Sequence, residues 1–179
     1  MILRDLPHLG TAFMALRARQ ARRGDLPRIV DIYNASIPSG RSTGDIEPVR
    51  VETTVEWFRS HQAGNRPLWV LGCERTIVGW AGLCSFYGRP AFEKTAELSV
   101  YVAPEDQGRG FGHQLVRRVM ARCPALGVTT LLAYLFAHNV ACERLLQGLG
   151  FTRWGLLPAV AEVYSVRRDV LILGKALRC

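Results

Sequence analysis

A glycine-rich turn between an apolar strand and an amphipathic helix constrains this sequence more than any other feature. Thr95–Val102 (TAELSVYV) carries the β-branched and aromatic residues of a strand, and residues 107–112 (QGRGFG) lead from it into a helix. Glycine lacks a Cβ atom, so the chain at Gly108, Gly110 and Gly112 can wrap closely around a ligand with several N–H groups converging on it. The helix adds its positive dipole end, and the segment therefore predicts a pyrophosphate-binding site.

Two better-known glycine loops do not fit this turn. A Walker A loop requires GxxxxGK followed by Ser or Thr, which the turn lacks. The dinucleotide fingerprint GxGxxG requires a glycine at position 113, which is His113, and its strand normally begins the fold. A turn that only joins strand to helix is the remaining alternative, but each of its glycines would then lower stability without any return. A phosphate cradle of another type is the better interpretation.

Residues within and beyond the turn resemble a known superfamily. The pattern Gln107-x-x-Gly110-x-Gly112 matches the Q/R-x-x-G-x-G/A motif of the GNAT superfamily of N-acetyltransferases, and Asn139 followed by a helix and Leu149–Phe151 also matches. Three further segments are similar to the phosphinothricin acetyltransferase-like branch, namely Ile32–Asn34, Ala96–Val102 and Leu157–Pro158. The similarity covers about residues 15 to 177.

The periodicity of the chain predicts one α/β domain with the element order β-α-α-β-β-β-α-β-α-β-β. The resemblance implies a GNAT-type acyl-CoA N-acyltransferase fold, in which a mixed sheet of about six or seven strands is flanked by about four helices. In that fold the central strand carries a β-bulge and splays from its neighbour. We expect residues 15–179 to form the domain and residues 1–14 to be a flexible extension. The first helix should begin after Asp25 as its N-cap, and the last two strands should span residues 151–156 and 170–177.

The resemblance implies acetyl-CoA as the co-substrate and indicates which residues bind it. The backbone of the central strand would bond the pantetheine arm, the glycine turn would hold the pyrophosphate, and Asn139 would contact the cofactor near its thioester. Arg109 is either a phosphate contact or a solvated side chain, and Asn139 also fits a helix N-cap. The implied cofactor-binding residues are Val100, Tyr101, Val102, Gln107, Gly108, Arg109, Gly110, Phe111, Gly112, His113 and Asn139.

Glu97 is the candidate general base, because it stands where this branch has its proposed base. Acceptor amines are mostly protonated at neutral pH and must lose a proton before they attack a thioester. Strand alternation places Ser99 and Tyr101 on the same face as Glu97, and a backbone N–H near Val100 would stabilise the oxyanion. A surface salt bridge is the alternative for Glu97, but a lone acid in an apolar central strand is costly without a role.

One position departs from the family pattern. The leaving CoA thiolate is often protonated by a Tyr or His seven residues after the family asparagine, and this position is Leu146 here. Either another group serves as the acid, or a thiolate whose thiol pKa is about 8.5 leaves unassisted. Cys142 is interpreted as a packing residue, since the family transfers the acyl group directly.

The resemblance places the acceptor pocket among the first helix, the loop after it and the loop before the central strand. It implies a small, amino-acid-like primary amine of the phosphinothricin or methionine sulfoximine type, and a homodimer with active sites near the interface. Protein N-acetylation and a non-catalytic acyl-CoA-binding sensor are the alternatives. Arg89 suits a substrate carboxylate, although a solvated arginine fits its loop equally well. The candidate substrate-binding residues are Tyr33, Asn34, Tyr87, Arg89 and Phe92.

Composition narrows the remaining classes of partner. The net charge is +8, but the arginines are scattered and are not interleaved with aromatic residues, which argues against nucleic acid. No apolar run approaches the ~20 residues that span a bilayer. The five cysteines are odd in number and include no CxxC spacing, which argues against a disulfide framework and a zinc site. Together with the resemblance, these features lead us to expect a cytoplasmic enzyme that uses no metal and binds neither nucleic acid nor membrane.

Overall fold

One seven-stranded mixed sheet organises the chain, with the strand order β1-β2-β3-β4-β5-β7-β6. The computed structural model describes residues 16–73 and 76–177. Within these ranges the sheet and four α-helices agree with the predicted element order and with a GNAT-type fold. The predicted extension at residues 1–14 lies outside the described residues. The elements are β1 (Arg17–Gln20), α1 (Leu26–Asn34), α2 (Val55–Ala63), β2 (Leu68–Cys73), β3 (Thr76–Ser85), β4 (Thr95–Val102), α3 (Phe111–Arg122), β5 (Thr130–Phe136), α4 (Val140–Gly148), β6 (Thr152–Val163) and β7 (Val166–Ala176).

The two central strands splay apart, as predicted. β4 and β5 form the parallel pair of the sheet, and their pairing extends only from Thr95–Glu97 to Thr130–Leu132, although both strands continue. The expected β-bulge is absent from the ladder between β3 and β4, which pairs without a register shift from Ser85 to Gly79. The gap therefore arises because β4 and β5 diverge after Glu97, and not because β4 is kinked against β3.

Helices cover both faces of the sheet and create two apolar cores. On one face, α3 and α4 bury Leu115 and Leu146 against the central strands. On the other face, α1 and α2 bury Ile29 and Phe58 against β3, where the Trp80 indole N–H donates to the Ile29 carbonyl at 3.1 Å. These cores hold β4 between two helical layers, so either layer can contribute residues to a site at the splay.

The last two strands are longer than the sequence indicated. β6 and β7 form a hairpin whose register shifts between Leu157 and Ala161, and Ala159 there has a positive φ of 51°. The Asp169 carboxylate accepts the Ala159 N–H at 2.8 Å and supports this irregular segment. The sequence did not predict this part of the strand, because it contains Pro158 and lacks apolar–polar alternation. An edge strand can accommodate proline and need not alternate.

α1 begins directly after Asp25, as predicted, but the Asp25 side chain does not cap the helix. Its carboxylate instead pairs with the Arg19 guanidinium at 2.6 Å and accepts the Arg22 N–H at 2.7 Å. A 3₁₀ turn over Arg23–Asp25 precedes the helix and directs the carboxylate toward these partners. None of the helices in the described ranges is long and apolar enough to cross a bilayer.

Candidate active site

The splay between β4 and β5 opens into a groove with a volume of about 560 Å³. Its walls include Leu98–Val102 of β4, Ala133–Leu135 of β5, the glycine turn and the start of α4. Every predicted cofactor residue except Arg109 lines this groove. The residues that were predicted to bind the cofactor therefore lie close together in the fold. Their roles toward a ligand stay a prediction.

The glycine turn presents a run of unused backbone donors to the groove. Gly108 and Gly110 have φ values of 74° and 81°, a left-handed conformation that favours glycine. The first internal bond of the helical segment joins the Gln114 N–H to the Gly110 carbonyl at 3.1 Å. The N–H groups of residues 108–113 donate to no described residue. Unsatisfied amides at a helix N-terminus form a ready anion-binding site.

Two arginines lie near the glycine turn and the groove, Arg109 and Arg144, and the sequence analysis considered only Arg109. The Arg109 guanidinium bonds the Asp106 carboxylate at 2.6 Å and lies 4.9 Å from the centre of the Phe111 ring. It thus braces the turn in this conformation. Arg144 on α4 lines the groove and was missed by sequence reasoning. Arg144 could have been found from the sequence only by its position on the helix that follows Asn139.

Asn139 caps α4, which confirms the N-cap interpretation. Its side-chain oxygen accepts the Cys142 N–H at 3.2 Å, while its amide nitrogen donates to the Arg41 carbonyl at 3.1 Å. His138 Nε2 makes a parallel contact of 3.1 Å with the Gly40 carbonyl. These two side chains attach the connection between α1 and α2 (residues 35–54) to the start of α4, across the mouth of the groove.

Glu97 lies at the point where the splay begins. It faces Cys84 across the β3–β4 ladder, is half-buried, and makes no hydrogen bond or ion pair with any described residue. The salt-bridge alternative therefore does not describe this carboxylate. Burial raises the pKa of Glu97 above its ordinary value. The side chain lies outside the walls of the groove, two residues from Ser99, which lines it.

A second cavity, which we call the acceptor cavity, lies on the α1–α2 side of β4 and has a volume of about 300 Å³. It meets the groove at Ser99 and Tyr101, which line both. The Tyr101 ring stacks on Trp80 with centroids 4.6 Å apart, and its hydroxyl donates to the Ser42 carbonyl at 3.1 Å. The complete lining is Ile29, Val30, Tyr33, Asp45, Val49, Thr54, Trp57, Trp80, Ser99 and Tyr101.

Of the residues predicted to bind the substrate, one lines this cavity and the others lie outside it. Tyr33 lines it, whereas Asn34 pins the α1–α2 connection through two 2.9 Å bonds with the Val49 backbone. Tyr87, Arg89 and Phe92 line neither cavity. Sequence reasoning missed Asp45, Trp57 and Trp80, which also line the acceptor cavity. A loop aspartate and two tryptophans carried no distinct signal in the sequence.

Leu146 has no ionisable proton to donate, but two other residues of the groove do, Tyr101 and Cys142. Leu146 is 1% exposed and contributes only an apolar wall. Burial raises the pKa of the Cys142 thiol to about 11 and raises the pKa of the Tyr101 hydroxyl further above its ordinary value. Both groups therefore keep their protons at neutral pH, and the Tyr101 hydroxyl donates its proton in the hydrogen bond to the Ser42 carbonyl.

Comparison with known proteins agrees with this geometry. Residues 26–151 match the model of the Acetyltransferase (GNAT) family. YwnH of Bacillus subtilis, named as a phosphinothricin acetyltransferase, is 41% identical over 160 residues, covering 89% of this chain and 98% of its own. An L-methionine sulfoximine/L-methionine sulfone acetyltransferase of Pseudomonas aeruginosa is 28% identical over 161 residues, covering 89% and 94%.

A solved structure shares the whole fold and contains the acyl donor. The GNAT superfamily phosphinothricin acetyltransferase from Sinorhizobium meliloti, in complex with AcCoA, superposes with a TM-score of 0.86 at 28% identity. The match covers 92% of this chain and 89% of that one. With a family model that spans most of the domain and a relative above 40% identity, this chain belongs to the GNAT family of acetyltransferases.

Proposed function

We propose that this protein transfers acetyl from acetyl-CoA directly to the primary amine of a small, amino-acid-like molecule of the phosphinothricin or methionine sulfoximine type. The observation that carries the proposal is the meeting of the groove and the acceptor cavity at Ser99 and Tyr101. A donor in one and an acceptor in the other would approach each other beside β4. The names of the relatives support this substrate class.

The groove suits the chemistry of acetyl-CoA. The unused amides of residues 108–113 match the charge and acceptor oxygens of a diphosphate, and a Cβ at Gly108 or Gly110 would enter open space on this side of the turn. Beyond Glu97, the β4 edge that faces β5 has no strand partner, so its backbone groups can bond an extended arm. Bound acetyl-CoA supplies the activated acetyl group, and the chain supplies its position.

Glu97 acts as the general base in this proposal. A carboxylate with a raised pKa is closer in proton affinity to an ammonium group and removes its proton more readily than an ordinary glutamate does. No cation pairs with Glu97 among the described residues, so its lone pairs stay open to the acceptor or to a bridging water. In the same proposal, the backbone N–H near Val100 stabilises the oxyanion.

The thiolate leaves without a dedicated acid. Leu146 replaces the usual donor, and the thiol and phenol that line the groove hold their protons too tightly to release them to a weaker base. The Tyr101 hydroxyl already donates to the Ser42 carbonyl, which leaves the Cys142 thiol as a weak hydrogen-bond donor for the leaving sulfur. Because a CoA thiolate is a stable anion near neutral pH, this departure is chemically sufficient.

We also propose that the protein is a cytoplasmic homodimer. Several large apolar side chains of the sheet are exposed, among them Trp154 of β6, which covers Gly174 and is 53% exposed. Tyr134 on β5 is 38% exposed and Tyr87 on the neighbouring loop is 73% exposed. Large apolar side chains that are this exposed support an interface with a second copy of the chain. Sedimentation should give twice the monomer mass, and Trp154→Arg should reduce it to the monomer value.

Acetyl-CoA incubated with a panel of amines, followed by detection of free thiol, tests the proposed function. Thiol release with free amino acids such as methionine sulfoximine supports it. Release only with peptides would assign protein acetylation instead. Tight binding of CoA with no release in any mixture would assign a sensor, the alternative that Leu146 keeps open.

A further inference from the structure

The acceptor cavity also discriminates by charge. We infer that it favours amines whose side chain is neutral, because the Asp45 carboxylate disfavours amines with an anionic side chain. The inference rests on the proposed function, since it assigns the acceptor of the same reaction. It goes beyond that function because the two kinds of substrate found among the relatives differ in this charge.

The walls of the cavity are apolar and aromatic. Tyr33, Trp57, Trp80 and Tyr101 form a chain of ring contacts, with the Trp57 and Trp80 centroids 5.9 Å apart and those of Tyr33 and Tyr101 5.1 Å apart. Such walls suit a methylene chain that ends in a neutral polar group. No lysine or arginine of the described chain lines the cavity, so an anionic side chain, added to the α-carboxylate that all amino-acid acceptors share, meets no counter-charge there.

Asp45 is the one charged side chain in the lining, and the fold holds it in place. Its Oδ2 accepts the Tyr33 hydroxyl at 2.6 Å, and its backbone N–H donates to the Thr43 hydroxyl at 3.2 Å. Thr43 Oγ1 in turn lies 2.5 Å from the Tyr33 hydroxyl oxygen. The carboxylate therefore cannot swing away without breaking this network, and an incoming anion would face a fixed negative charge.

A matched pair of substrates isolates this effect. Phosphinothricin and L-methionine sulfone have the same chain length and a tetrahedral end group with one methyl and two oxygens. The phosphinate is an anion, whereas the sulfone is neutral. Repulsion between two like charges that share a partly solvated cavity reduces affinity by about 10- to 100-fold. We expect kcat/KM for the sulfone to exceed that for phosphinothricin by at least about tenfold.

The decisive variant is Asp45→Asn, which keeps an oxygen to accept the Tyr33 hydroxyl but removes the charge. It should bring the two substrates to within about threefold, mainly by improving phosphinothricin. Asp31→Asn is the matched control, because Asp31 is an exposed α1 residue that lines neither cavity. It should keep the preference of the parent. Equal or better use of phosphinothricin by the parent, or an unchanged ratio in Asp45→Asn, would overturn the inference.

A binding measurement separates this inference from the proposed function. Trp57 and Trp80 line the cavity, so an occupant should change the tryptophan fluorescence of the CoA-loaded protein. Methionine sulfone should titrate this signal at lower concentration than phosphinothricin, and Trp57→Phe should reduce the change. If this order of binding holds while no thiol is released, the charge inference stands and the proposed transfer fails. If neither compound changes the signal, the inference fails.

Discussion

Replacing Gly110 with alanine tests whether the glycine turn binds a diphosphate. Gly110 has a φ of 81°, and a Cβ there would meet no atom within 4 Å, so the substitution costs backbone strain but causes no clash. An L-residue in the left-handed region costs about 1–2 kcal/mol, and the lower entropy of the unfolded alanine chain offsets about half of this. A net loss of about 1 kcal/mol lowers the Tm by about 2–4 °C for a chain of this size.

The effect on cofactor binding should be larger than the effect on stability. The strained turn shifts amides that would bond a charged diphosphate, and one such bond contributes about 1.5–3 kcal/mol. Calorimetry with CoA should therefore show a Kd weakened by about 10- to 100-fold. Thermal unfolding without ligand measures the stability change independently, so loss of fold and loss of binding can be told apart.

Gly127 provides the matched control. It has a φ of 70°, a Cβ there would also meet no atom within 4 Å, and it lies outside both cavities. Gly127→Ala should show a similar fall in Tm with a CoA Kd within about twofold of the parent. If Gly110→Ala binds CoA as tightly as the parent, or if both variants weaken binding equally, the turn does not hold the diphosphate.

Two further residues give sharp predictions. Glu97→Gln should lower kcat/KM by about 100- to 10,000-fold, as expected for loss of a general base, and parent activity should fall as the pH drops through the raised pKa of Glu97. A raised carboxyl pKa favours the protonated folded state, so its charging costs stability as the pH rises. The Tm advantage of Glu97→Gln over the parent should therefore grow from about pH 4 to pH 8, and a constant difference would contradict this environment. Asn34→Ala should lower unfolding free energy in urea by about 1–3 kcal/mol, because it removes both bonds to Val49, whereas exposed Asn65→Ala should have little effect.

The sequence was most informative where local chemistry determines local structure. The bounds of β4 agree with the predicted residues 95–102, because β-branched and aromatic residues end sharply at a proline and glycine-rich turn. The glycine turn and the cap by Asn139 were predicted for the same reason. The hairpin of β6 and β7 was predicted too short, because its exposed edge lacks the alternation that marks a strand packed on a core.

The acceptor cavity was hardest to predict, because its residues come together only through tertiary packing. Tyr33, Asp45, Trp57 and Trp80 belong to α1, the α1–α2 connection, α2 and β3, and no spacing links them. Tryptophans in apolar segments are more often core residues, and Trp80 is indeed 3% exposed while also forming a cavity wall. Asn34 was expected to bind substrate, yet its two bonds to Val49 show a residue that shapes the cavity from outside.

The early separation of β4 from β5 explains why a single strand can serve both cavities. Had the parallel ladder continued past Glu97, the backbone of residues 98–102 would be paired with β5, and the groove would be closed. Because the ladder stops there, the free edge of β4 lines the groove while the face that carries Ser99 and Tyr101 lines the acceptor cavity. Glu97 stands on that same face at the last paired position, where the two strands begin to diverge.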